Sequence, residues 1–271
     1  MNSSRPSLKS TIAALILLGL TAAACVSLGM WQLDRAEQRK EAQRIMMQGR
    51  ASAPLTLTAD LDRSKLQDWR AITLEGKWRN DLSILLDNRN HNGQPGYWLA
   101  TPMMLTADNP KAVLVLRGWL PRAFSNPGAP IASLPSADPL KAPSGMQLIE
   151  GQLQAQIPRM FELWSLSGNK ADTLPAHLPA PNPALPVTTN LTLEDYARIT
   201  GLQLLPVIVQ QTKAGPDSPD TLVREWPEPS LDADKNIGYA LQWFGFATIA
   251  GGAFLVVAWR ARRRRRAAPS S

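Results

Sequence analysis

Cysteine and histidine are almost missing from this chain. Cys25 stands alone, and the histidines are His91 and His177 only. One cysteine cannot form an internal disulfide, and no CxxC, HxxxH or carboxylate–histidine spacing exists to build a zinc or copper site. Neither a GxGxxG stretch nor a P-loop is present. Asp87 and His91 are close enough in sequence to meet, but no neighbouring serine or cysteine has the setting of a nucleophile. No enzyme is expected. Acid is missing from both ends as well, since all 22 Asp and Glu lie between Asp34 and Lys235.

What the ends have is apolar length. Ile237 to Trp259 is 23 residues without a formal charge, followed by six arginines among Arg260 to Arg266. At about 1.5 Å per residue that run reaches roughly 34 Å, enough to cross a hydrocarbon core. Trp243 and Trp259 sit towards its two ends, where amphipathic rings favour the interface. Asn236, Tyr239, Gln242 and Trp243 add hydrogen-bonding groups in the first two turns. Gly238, Gly245 and Gly252 recur every seven residues and are expected to receive another helix.

A second uncharged run of 23 residues, Thr11 to Leu33, follows a start carrying Arg5 and Lys9. It reads as an uncleaved membrane helix whose Gly19 and Ala23 meet the glycine seam. A cleaved signal peptide ending near Ala22-Ala23-Ala24, or a lipoprotein with Cys25 at its start, is the other reading. Two crossings put both termini on one side, and the arginine cluster makes that side cytoplasmic. The expected order is a cytoplasmic start (1–10), a first transmembrane helix (11–33), a periplasmic β-rich domain (34–235), a second transmembrane helix (236–259) and a cytoplasmic Arg-rich tail (260–271). No long Arg- and Ser-rich presequence opens the chain, so a bacterial inner membrane is expected.

This layout changes how the net charge of +7 is read. Eight of the 29 bases lie outside Asp34–Lys235, leaving 21 bases against 22 acids within it, a net of −1. The basic pI belongs to the tails. It points to anionic phospholipid and away from nucleic acid.

The outer segment holds 21 of the 23 prolines, which limits long regular elements. Asp34 to Arg50 reads as a charged helix continuing from the membrane. Arg70 to Trp78 alternates apolar and polar residues as a half-buried strand. Ser83 to Leu86 opens a short apolar strand. His91 to Gly96 is a turn cluster, and Tyr97 resumes extended chain. Ala112 to Leu116, Gln147 to Leu153 and Leu204 to Gln211 are further strands, the last placed at an edge by Pro206. Thr192 can cap a short helix with Glu194 and Asp195 in its first turn and Gly201 as its stop. Pro121 to Pro143 and Pro175 to Pro186 read as loops. The fold class is an α+β membrane protein, with two transmembrane helices flanking a β-rich domain that carries a short helix.

Four stretches together resemble the Surfeit locus protein 1 family of cytochrome c oxidase assembly factors. LGMWQLDRAEQRK carries Trp31, Gln32 and Arg35, similar to the family's exit from its first helix. LLDNRNHNGQPGYWLATPMML carries Asn88, Arg89, Pro95, Gly96 and Tyr97. VLVLRGWLPR carries Arg117, Gly118, Trp119 and Pro121, and GYALQWFGFA begins the second helix with Tyr239 and Trp243. The resemblance implies a non-enzymatic factor that helps mature the heme- and copper-containing catalytic subunit, at heme a insertion, alongside other assembly factors. It also implies a heme a contact at Asn236, Tyr239 and Trp243. Several bacterial relatives carry a histidine where this chain has Asn236, and an amide is a poor iron ligand beside imidazole. In place of stable ligation, either transient presentation of heme a or action on the oxidase subunit without holding heme is therefore expected. A membrane-tethered periplasmic binding or scaffold protein unrelated to oxidase is the alternative.

Overall fold

The computed structural model describes residues 7–105, 111–122, 140–160, 174–179, 185–215, 220–230 and 232–266. In chain order the elements are α1 (Leu8–Ala51), β1 (Leu55–Thr56), β2 (Ala71–Trp78), β3 (Ile84–His91), β4 (Gln94–Met104), β5 (Lys111–Pro121), β6 (Met146–Gln154), β7 (Val187–Thr188), α2 (Leu193–Thr200), β8 (Gln203–Gln211) and α3 (Ala233–Arg266). This is the expected α+β architecture, with two apolar helices flanking a strand-rich domain that has one short helix. The chain divides into two compact units, Met1–Arg44 with Glu228–Ser271, and Ile45–Pro227.

The first unit is a pair of helices. No proline falls between Pro6 and Pro54, and Ser7 Oγ accepts from the Ser10 N–H at 3.2 Å, so α1 starts and ends where its sequence permits. Both α1 and α3 are long and apolar enough to cross a membrane. The charged run from Asp34 continues α1 without a break, as expected.

Their contact corrects the glycine seam. A Cβ built on Gly238, Gly245 or Gly252 meets nothing within 4 Å, so these glycines do not face α1. The small residues at the contact are alanines instead. Ala233 (5% exposed), Ala240 (1%) and Ala250 (7%) are buried, and Ala233, Ala240 and Ala247 repeat at seven. On α1 the matching stripe is Cys25, Gly29, Gln32, Ala36 and Arg39, spaced 4, 3, 4, 3 as in a left-handed coiled coil. A Cβ on Gly29 would lie 2.6 Å from the Phe244 ring, while one on Gly19 would make ordinary contact with Phe254 at 3.8 Å. The physical reason is volume. Glycine on α1 makes room for phenylalanine on α3, and alanine suffices elsewhere along the seam.

The second unit is a sheet that closes on itself. The strands run β1-β2-β6-β8-β5-β4-β3-β7, and Lys77 and Trp78 of β2 also pair with Met104 and Met103 of β4. β2, β6, β8, β5 and β4 thereby form a five-stranded ring. Its interior is filled by Leu74, Met103, Val113, Val115, Ile149 and Val209. Alternate residues of β5, Leu114 and Leu116, point the other way into a layer with Leu86, Trp98, Tyr196 and Ile199. That double burial is why β5 reads as a continuous apolar run.

α2 is capped as expected: Thr192 Oγ1 accepts from the Asp195 N–H at 3.0 Å, and Gly201 ends it with φ 69°. Tyr196 on this helix is fully buried and donates to the Leu82 carbonyl at 2.6 Å. Two strand readings are revised. β3 runs on to His91 and the turn shrinks to Asn92 and Gly93, because the hairpin pairs His91 directly with Gln94. β8 is internal, between β6 and β5. Pro206 is accommodated because it falls at a register shift with β5, before β6 begins to pair at Ile208. Most of the two proline-rich loop readings lies outside the described residues.

Candidate functional site

Two places gather the residues singled out by the sequence, one in each unit. In the strand unit the two arginine motifs coincide with two bulges flanking β4. On β3 the register shifts between Leu86 and Arg89, and Asn88 sits there at φ 60°. On β5 Leu99 pairs with Gly118 and Ala100 with Leu116, which leaves Arg117 as the extra residue. A bulge re-aims the side chain beside it. Both arginines consequently turn inward, at 0% exposure for Arg89 and 1% for Arg117.

Arg89 lies 4.6 Å above the Trp98 ring and donates to the carbonyls of Pro158 and Thr189, each at 2.9 Å. Burial pushes its guanidinium down to about 10, with Asp87 opposing the shift, so it stays charged at neutral pH. Trp119 Nε1 returns a hydrogen bond to the Arg89 carbonyl at 2.9 Å. Arg117 donates to the Leu140 carbonyl and to Asp220 Oδ2 at 3.0 Å, and its cation lies 5.4 Å from the Trp78 ring. Burial lowers its pKa, while Asp220 acts in the opposite sense. Asp220 also takes Arg224 Nη2 at 2.6 and 2.8 Å, so one buried carboxylate serves two guanidiniums.

The glycines of these motifs are set by contact. A Cβ on Gly96 would collide with the Leu120 carbonyl and sit 2.5 Å from the Trp119 indole. Gly118 has φ 155° and would put a Cβ 2.7 Å from Leu222 Cβ. Pro95 accepts from the Arg122 N–H at 3.0 Å, and Tyr97, 8% exposed, lies under the Arg122 guanidinium at 5.3 Å. Arg122 itself pairs with Asp87, which takes that carboxylate away from His91. His91 instead packs on Trp119 at 5.1 Å and lies 3.6 Å from Glu225. Trp119 and Val223 exchange backbone hydrogen bonds at 2.7 and 2.9 Å, and Trp226 donates to the Gln211 carbonyl at 2.8 Å. Residues 220–226 are thus strapped onto the sheet by the arginine–glycine–tryptophan motif.

The helix pair presents its motif residues differently. Trp31 is 53% exposed and Tyr239 is 54% exposed. Trp243 meets Phe246 edge to face at 6.0 Å, and Arg35 donates to Gln38 at 3.1 Å on its own helix. Gln32 is the exception, because it crosses the pair: Asn236 Nδ2 donates to Gln32 Oε1 at 2.7 Å. Below it, Arg39 reaches the Asp232 carbonyl at 3.2 Å. Of the heme a set, Tyr239 and Trp243 offer flat apolar surface, whereas the Asn236 Nδ2 is engaged by Gln32. Among the described residues no cluster of three His, Cys, Asp or Glu could hold a metal ion. The amide at position 236 is by its chemistry a poor iron donor beside imidazole.

Sequence reasoning missed Asp220, Arg224, Trp98 and the Cys25–Gly29–Ala36 stripe. Nothing local marks Asp220, which meets Arg117 from 103 residues away. The α1 stripe was readable from its 4-3 spacing.

Comparison with known proteins joins the two units. The model of the SURF1 family matches residues 19–248, reaching from within α1 to within α3. This chain belongs to the SURF1 family. A SURF1-like protein from Rickettsia bellii (strain RML369-C) is 26% identical over 245 residues, covering 88% of this chain and 86% of its own length. Another from Rickettsia conorii (strain ATCC VR-613 / Malish 7) is 26% identical over 238 residues, 85% of each chain. A third, from Rickettsia felis (strain ATCC VR-1525 / URRWXCal2), is 32% identical over 106 residues, 37% of this chain and 42% of its own.

Proposed function

We propose that this chain is an assembly factor for the heme–copper terminal oxidase, acting on the catalytic subunit at the stage of heme a insertion. The observation that carries the reading is the family match over residues 19–248, which takes in the strand unit, most of α1 and the first half of α3. The role is presentation and docking without turnover. In this reading the protein lies in a bacterial inner membrane with both ends cytoplasmic. Arg260 to Arg266 then meet anionic lipid headgroups, and the strand unit is periplasmic. The exposed aromatic groups Trp31 and Tyr239 supply flat surface for a client helix or a porphyrin face. Heme a, when carried, would supply the redox centre of the client oxidase, and this chain would contact the ring transiently.

The deciding experiment is a heme-resolved difference spectrum of membranes from a deletion strain. Heme a absorbance and oxidase content should fall together and return when the full chain is supplied. Unchanged heme a and oxidase content would reject the reading in favour of a membrane-tethered periplasmic scaffold unrelated to oxidase.

A further inference from the structure

Gln32 and Asn236 each place one amide on the helix–helix seam, and the two amides meet at 2.7 Å. Gln32 belongs to the Cys25, Gly29, Gln32, Ala36 stripe, and Asn236 lies between the buried Ala233 and Ala240. Both amides are half-buried, with Gly29 packed against the Phe244 ring on one side and Arg39 on the Asp232 carbonyl on the other. An amide facing lipid or a partner helix without a hydrogen bond is costly, so two amides at one level of a seam select the arrangement in which they pair. A lone polar residue at a coiled-coil seam position fixes register in the same manner.

We propose that Gln32 is a positioning residue for Asn236, and that the two form an interhelical amide lock setting the register and rotation of α3 against α1. Residue 236 is then a helix-pairing group and not an iron donor. Locking it inward leaves the exposed side of α3, carrying Tyr239 and Phe246, to meet whatever the protein docks. The lock goes beyond the oxidase reading and stands without it, because helix pairing is measured directly.

The test uses the full chain in membranes, with Cys25→Ala and cysteines placed at Ala36 and Ala233, the buried small residues flanking the lock. A short thiol-reactive cross-linker should join them in the parent. Gln32→Leu or Asn236→Leu should lower the ratio of linked to unlinked protein by about threefold to tenfold, the range for one interhelical hydrogen bond. The double variant Gln32→Leu/Asn236→Leu should recover to within about twofold of the parent, because neither helix then strands an amide. The swap Gln32→Asn/Asn236→Gln should link like the parent.

Three results would overturn the lock. One is failure of the parent to link. A second is a double variant whose loss is the product of the single losses, which would mean that the two residues do not interact. The third is an Asn236→Leu protein that links like the parent but, purified from membranes rich in heme a, loses heme that the parent retains. That would make residue 236 a cargo contact.

Discussion

The strand unit and the helix pair handle their motif residues in opposite ways. In the strand unit Arg89 and Arg117 head the fully buried side chains, and each is tied to backbone carbonyls or to Asp220. In the helix pair Trp31 and Tyr239 stay more than half exposed, and Gln32–Asn236 is the side-chain pair that crosses between helices among the described residues. The contrast separates two uses of a family motif. The arginine–glycine–tryptophan and asparagine–arginine stretches build the domain, while the aromatic ends of the helices are left free to touch something else. Substitutions in the first group should therefore act through stability, and those in the second through function at constant stability.

The largest effect is expected at Arg117. Arg117→Ala removes one of the two guanidiniums that meet Asp220 and the donor to Leu140, and breaking a buried ion pair costs about 3–5 kcal/mol. For a unit of this size the melting temperature should fall on the order of 10 °C. Tryptophan fluorescence reads it, since six of the nine tryptophans belong to Ile45–Pro227. An unchanged melting point would mean that the buried triad is not part of the stable fold. Arg89→Lys should cost less, about 2 kcal/mol, because an ammonium cannot reach both carbonyls in the fork geometry or stack on Trp98 as a plane does. A loss at Arg89 equal to that at Arg117 would remove the distinction between a paired carboxylate and two carbonyl acceptors.

Gly29→Leu carries the comparison into the helix pair. Its side chain would enter the space of the Phe244 ring, and overpacking of this kind costs about 1–3 kcal/mol. Cross-linking between cysteines at Ala36 and Ala233 should drop, while the melting of the strand unit stays at the parent value. A strand unit that melts earlier would show that the two units do not respond separately.

How much of this was legible in the sequence depended on whether the signal was local. The cap at Thr192, the stop at Gly201 and the alternation of Arg70 to Trp78 are set by neighbours a few residues away, and each was read correctly. Pro206 misled because a proline reports only that one N–H is missing. It cannot tell an edge strand from a bulge in an internal one. The buried arginines were recognised as motif residues, yet their role required Asp220 and the carbonyls of Pro158 and Thr189, brought in by strand pairing over long sequence separations. An asparagine before one arginine and a glycine after the other were the local hints of two bulges. The helix seam was the instructive error. Glycine was favoured because small residues let helices approach, but alanine at the same seven-residue spacing is small enough, and it also keeps helix propensity.

That error yields the smallest expected effect. Gly245→Leu adds four carbons at a position where a Cβ meets nothing within 4 Å. Leucine is also a better helix former than glycine, by up to about 1 kcal/mol, so α3 should be no less stable. The Ala36–Ala233 cross-link should form as in the parent, and the melting of the strand unit should not move. Set beside Gly29→Leu, the same side chain added to either helix then gives a loss in one case and nothing in the other. That asymmetry is what an alanine-lined seam with α1 glycines predicts, because Phe244 already occupies the room that Gly29 leaves. A drop in cross-linking for Gly245→Leu would put α1 back against the glycine stripe of α3. The alanines at 233, 240 and 247 would then have to face away from α1, and the contact between Asn236 and Gln32 would lose its place on the seam.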